Sequence, residues 1–103
     1  MAYIVLVSIR LHTKHQTEKI GWSLGPNCES KTNLRVAPNT FHEKECTLAV
    51  DQMYTVKCKS SNGDGWNSNF LTIENQAYCE NFTTGHEEAV NITIRGKLIF
   101  RNI

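Results

Sequence analysis

The chain is expected to fold as a single all-β domain, a disulfide-stapled, jelly-roll-like β-sandwich of about seven or eight short antiparallel strands spanning residues 1–103. Three observations lead there. Apolar residues alternate with polar ones over several short runs, clusters of Gly, Asn and Asp separate those runs, and no segment holds the i, i+3, i+4 spacing of an amphipathic helix. A chain of 103 residues has room for one hydrophobic core.

The first run is the longest. From Tyr3 to Thr13 the odd positions Tyr3, Val5, Val7, Ile9 and Leu11 are apolar, while Ser8, Arg10 and His12 are polar. Two-residue periodicity predicts a strand with one buried face, and β-branched residues favour it over helix. Ile4 and Leu6 lie on the even side, so the first half could be buried on both faces. Ala2–Ile9 lacks a basic leader and a small-residue cleavage site, so it is assigned to the fold, with Met1 expected to open a cloned, processed or partly known fragment.

Ile20–Leu24 forms the next candidate strand, with Trp22 and Leu24 inward, and stops at Gly25-Pro26-Asn27. Residues 28–45 are weakly patterned, with Leu34, Val36 and Phe41 as apolar anchors among loops. Cys46, Leu48 and Val50, then Tyr54, Val56 and Cys58, give two strands expected to pair as a hairpin about Asp51-Gln52-Met53. Asn62-Gly63 and Asp64-Gly65 predict a tight loop, because these residues accept positive φ. Leu71 and Ile73 mark another inward face, followed by a turn near 74–76. Val90, Ile92 and Ile94 mark the last, with Leu98–Phe100 continuing after Gly96.

Charge and cysteine usage narrow the function. Eleven basic and ten acidic residues leave a formal charge of +1, without a basic stripe for nucleic acid. No apolar run is long enough to span a membrane. Cys28, Cys46, Cys58 and Cys79 are separated by 18, 12 and 21 residues, so none forms the close pair typical of zinc or redox sites. Two disulfides are expected. Three connectivities are open; the preferred one joins Cys58 to Cys79 across the glycine-rich loop, leaving Cys28 with Cys46. Asn81-Phe82-Thr83 and Asn91-Ile92-Thr93 match the glycan acceptor pattern, which with the disulfides indicates an extracellular, secreted protein.

The middle of the chain resembles a secreted β-sandwich family found in adhesion and matrix proteins of protists, algae, bacteria and invertebrates. The resemblance is carried by Cys46-Thr47-Leu48, Tyr54 to Cys58, Asn62-Gly63-Asp64-Gly65-Trp66-Asn67, Leu71-Thr72-Ile73, and Tyr78-Cys79-Glu80-Asn81-Phe82 with Gly85. The segment from Thr13 to Trp22 also resembles the family's opening strands. Lys59-Ser60-Ser61-Asn62 departs from the family, which commonly has an acidic and an aromatic residue there. The resemblance implies an adhesive, glycan-binding or matrix-building module.

Asp64, Trp66, Asn67 and Asn69 form the candidate ligand site: an aromatic face stacks on a pyranose while carboxylate and amide groups bond its hydroxyls. In the competing reading, Asp64 caps turn amides and Trp66 packs beneath the loop. No cofactor is expected, calcium at the Asn62–Asn67 loop being a minor alternative that its single carboxylate disfavours. His12, His15, His42 and His86 are dispersed, and neither His42-Glu43 nor His86-Glu87-Glu88 completes a zinc-protease pattern. Glu43, Glu45, Glu87 and Glu88 could in principle supply a glycosidase pair, but loop glutamates are common and catalysis is not expected. Expected partners are glycans or other extracellular proteins. A second reading is a filament or matrix subunit, a homo-oligomer assembled when Ala2–Ile9 or Leu98–Ile103 adds a strand to a neighbour's sheet edge. A secreted inhibitor or toxin is a third.

Overall fold

Alternation along the strands builds two facing sheets. The computed structural model describes residues 3–14, 17–25, 27–30, 34–36, 39–66 and 68–95. Its strands are β1 (Ile4–His12), β2 (Thr17–Leu24), β3 (Leu34–Val36), β4 (Phe41–Ala49), β5 (Met53–Ser60), β6 (Phe70–Ile73), β7 (Gln76–Tyr78) and β8 (Glu87–Thr93). Sheet A runs β4-β1-β6-β7 and sheet B runs β3-β2-β5-β8, every strand pair antiparallel. Among the described residues there is no helix, so none is long and apolar enough to cross a membrane.

The inward rows meet as one core. Val7, Ile9 and Leu11 of β1, Leu48 of β4, and Leu71 and Ile73 of β6 enter from sheet A. Ile20, Trp22 and Leu24 of β2, Val56 of β5 and Ile92 of β8 enter from sheet B, with Ile94 just beyond. Removing this apolar area from water is the main driving force for the fold. Cys28–Cys46 ties the segment after β2 to β4, and Cys58–Cys79 ties β5 to the end of β7, so both bridges join sheet B to sheet A.

Three expectations change. First, β4 and β5 do not form a hairpin: β4 pairs with β1 in sheet A, and β5 with β2 and β8 in sheet B. The connection turns a corner between the sheets, with Asp51 at φ 64° and the Tyr54 hydroxyl accepting from Ala49 N at 2.9 Å. Alternation tells which face of a strand is buried, not which neighbour it has. Second, β4 starts at Phe41, within a stretch expected to be loops. Phe41–Glu45 is exposed on both faces at the sheet edge, where burial imposes no alternation. Third, the even side of β1 is not buried: Ile4 is 70% and Leu6 61% exposed, and Tyr3 is 73% exposed although it belongs to the odd row.

The two-residue turn Glu74-Asn75 has positive φ at both positions, 51° and 65°, and closes the β6–β7 hairpin where expected. Gly96 and Leu98–Ile103 lie outside the described residues.

Candidate functional site

The glycine-rich loop between β5 and β6 is built as a clasp. Gly63 and Gly65 take φ 78° and 73°, conformations that side-chain-bearing residues adopt at a cost. The chain thereby doubles back beneath the β7–β8 connection. Trp66 N donates to Phe82 O at 2.8 Å, Gly85 N to Gly63 O at 2.8 Å, and Asp64 bridges Gly85. Ser60 Oγ donates to the Asp64 carboxylate at 3.2 Å, and His86 Nδ1 lies 3.1 Å from Ser60 O, which it reaches as a donor.

This closure decides the fate of the expected sugar site. Trp66 is fully buried, with its ring centroid 6.5 Å from that of Phe82 and its Nε1 donating to Lys59 O at 2.9 Å. Asn69 is likewise fully buried, and its Oδ1 accepts from Lys14 N at 2.8 Å. A ring with no exposed face cannot stack on a sugar, so the ligand role expected of Trp66 and Asn69 is replaced by a structural one. Asp64 alone remains at the surface, and Asn67 lies outside the described residues. Burial satisfies the indole N–H instead of wasting it, which is why a tryptophan fits here.

The exposed aromatic chemistry is elsewhere, on the outer face of sheet A. Register sets His12 opposite Phe41 on β4 and opposite Phe70 on β6. The three rings line up across adjacent strands. His12 stacks on Phe70 with centroids 4.8 Å apart and planes at 8°, and Phe41 lies 6.1 Å to the other side. Phe41 is 58% exposed, an unusual position for a large aromatic side chain.

Polar groups border the row. His12 Nε2 is 2.9 Å from Thr72 Oγ1. The Arg10 guanidinium lies 5.7 Å from the Phe41 centroid and the Lys14 ammonium 5.9 Å from that of Phe70, both within cation–π range. Arg10 Nε also donates to Glu43 at 3.2 Å, and Ser8 Oγ donates to the same carboxylate oxygen. These bonds, Ser8 first and Arg10 second, hold the Glu43 carboxyl below the usual carboxylate range.

None of these residues was singled out as a ligand site from the sequence, although the polar even positions Ser8, Arg10 and His12 carried the signal that this face meets solvent. The carboxylates considered for glycosidase chemistry are divided: Glu43 and Glu45 lie on β4 of sheet A, Glu87 and Glu88 on β8 of sheet B. Among the described residues no three His, Cys, Asp or Glu side chains gather where they could hold a metal ion.

Sheet B offers a shallow groove of about 520 Å³ lined by Ser23, Glu29, Met53, Tyr54, Thr55 and Lys57. Asn91 is exposed beside it, its Oδ1 accepting from Thr55 Oγ1 at 2.8 Å, and Asn81 is exposed in the β7–β8 connection. Comparison with protein-family models, with characterised proteins and with solved structures finds no match to this chain.

Proposed function

We propose that the chain is a non-catalytic extracellular module that binds carbohydrate on a cell surface or matrix through the outer face of sheet A. The observation that carries this reading is the solvent-facing row Phe41, His12 and Phe70. With His12 and Phe70 stacked on each other, the row offers solvent the ring edges and the exposed Phe41 ring, an apolar strip against which sugar C–H groups can pack, and the hydroxyl, guanidinium and carboxylate groups of Thr72, Arg10 and Glu43 stand beside it to bond sugar hydroxyls. Rigidity helps as well, because the platform rests on three paired strands and little side-chain freedom is lost on binding.

The two inter-sheet disulfides support an oxidising compartment. The acceptor asparagines support the same placement, and a glycan on Asn91 would project from sheet B, leaving the ring row on sheet A open. The test is a glycan array probed with the wild type and with Phe41→Ala and Phe70→Ala. Loss of signal in both variants, with the fold intact by circular dichroism, supports the reading. Equal binding by all three proteins refutes it.

A further inference from the structure

Asn91 stands on the outer face of sheet B, and a neighbour fixes its side chain. Register sets it opposite Thr55 of β5, with Thr93 opposite Met53 and Ala89 opposite Lys57. Residues two apart share a face, so Met53, Thr55 and Lys57 form the solvent-side row beside Asn91, while Val56 and Cys58 of the same strand are buried. Thr55 Oγ1 donates to Asn91 Oδ1 at 2.8 Å, which turns the amide oxygen toward β5. The side chain is exposed, and among the described residues its amide nitrogen makes no hydrogen bond.

This orientation decides where a glycan on Asn91 would lie. Glycosylation makes the side-chain amide a secondary amide, planar and trans like a peptide bond. In that geometry the substituent on nitrogen sits on the same side of the C–N bond as the oxygen, as the next Cα does along the backbone. The first sugar on Asn91 Nδ2 is therefore directed toward Thr55 and over β5, not outward past β8. What it meets there is the groove of about 520 Å³, which has Thr55 itself in its lining. Met53 and Tyr54 supply apolar surface, and Ser23, Glu29 and Lys57 supply polar groups. The volume lies within the ~300–1,000 Å³ of small-ligand sites, and apolar walls with a few placed polar groups suit an N-acetylated sugar. Gly25 shapes the floor: a Cβ there would stand 3.3 Å from Tyr54 Cδ1, so the tyrosine ring packs against the β2 backbone. Asn81 is placed differently, in the β7–β8 connection, from which the groove takes no residue.

We propose that Asn91 is glycosylated and that the first sugars of its glycan lie in the sheet B groove, held over Thr55 against Met53 and Tyr54. Extracellular placement, as proposed above, is the premise; carbohydrate binding by sheet A is not. The transfer joins Asn91 Nδ2 to C1 of a sugar supplied as a lipid-linked diphosphate ester. The diphosphate leaves with the electron pair of the C–O bond, and the amide loses one proton. The groove is then filled by the chain's own modification and not by a free ligand.

The test uses the full chain secreted by a eukaryotic cell line. Peptide mass spectrometry reads the occupancy of Asn91. Met53, 62% exposed in the bare chain, reports the cover through its conversion to sulfoxide by dilute peroxide, timed against free methionine in the same solution. The comparison protein is Asn91→Gln, which keeps Asn81; if it fails to fold, wild type stripped of its glycans by an amidase replaces it. Met53 should oxidise roughly threefold or more slowly in the glycosylated wild type than in the comparison protein. Trimming to the first N-acetylglucosamine should retain most of that protection. Thr55→Val, which keeps the strand propensity but lacks the hydroxyl that turns the amide, should carry the glycan and lose the protection. An Asn91 without glycan overturns the proposal, as do equal oxidation rates with and without the glycan. Full protection in Thr55→Val also overturns it, by making the cover one of bulk alone. The glycan array reads sheet A and this assay sheet B, so either can fail without the other.

Discussion

Replacing Gly65 with alanine should cripple the clasp, and the structure fixes the size of the effect. Gly65 sits at φ +73°, where a side chain costs about 1–2 kcal/mol. An added Cβ would also stand 2.4 Å from Phe82 O and 2.6 Å from Thr83 C, both backbone atoms. That backbone cannot drift freely, because Phe82 O holds Trp66 N at 2.8 Å and Gly85 N holds Gly63 O at 2.8 Å. Forcing it aside adds an overpacking cost of about 1–3 kcal/mol. The sum, about 2–5 kcal/mol, is a large part of the 5–15 kcal/mol typical of a domain.

Gly85 is the control: it has φ +96° but nothing within 4 Å of its added Cβ, so Gly85→Ala carries the conformational cost alone. Alanine restricts the unfolded chain equally in both variants, and that contribution cancels in the comparison. Urea unfolding followed by tryptophan fluorescence should therefore place Gly65→Ala about 1–3 kcal/mol below Gly85→Ala at unchanged slope. Coincident midpoints would refute the claim that steric closure, rather than ligand contact, accounts for this glycine.

Further expectations follow from the same packing. Trp66→Ala should cost about 3–5 kcal/mol in the same assay, since the ring is fully buried, whereas Phe41→Ala on the open face should stay within about 1 kcal/mol of wild type. Removing Cys58–Cys79 by a paired Cys→Ala change should lower stability by about 3 kcal/mol, from a loop closed over 21 residues, and removing Cys28–Cys46, closed over 18, should cost nearly the same. Because the folded-state Glu43 carboxyl is held below its unfolded value by Ser8 and Arg10, its contribution is present above the unfolded pKa and lost as pH falls through the folded one. Carboxyl NMR titration should find its midpoint below the ordinary carboxylate range in the wild type and nearer that range in Ser8→Ala; no difference between the two would contradict the hydrogen-bond assignment.

The core rows were legible from alternation alone, because Val7, Ile9 and Leu11, and likewise Leu71 and Ile73, must all face one way if one sheet face is buried. The glycine-rich turn and the disulfide pairing were legible too: Cys58 and Cys79 flank a loop whose Gly-Asp-Gly sequence bends the chain back. What the sequence hid depends on strand neighbours. Cys46–Val50 and Tyr54–Cys58 read as a hairpin, yet the same two-residue period serves strands in opposite sheets. Phe41 read as an apolar anchor because an exposed aromatic and a buried one look alike in a string of letters, and for the same reason Trp66 read both as a ligand platform and as a ring packed beneath its loop, the second being what the structure shows. His12, Phe41 and Phe70 are distant in sequence and meet only through the pairing register of three strands, which no local pattern specifies.

Carbohydrate contact at the sheet A face is tested most directly by titrating a glycan selected on the array into isotope-labelled protein and mapping the shifted backbone and side-chain resonances. Shifts centred on His12, Phe41, Phe70 and Thr72, with the clasp from Gly63 to Trp66 unmoved, are the predicted result. Shifts centred on Asp64 and its neighbours, with the three-ring row silent, would contradict it.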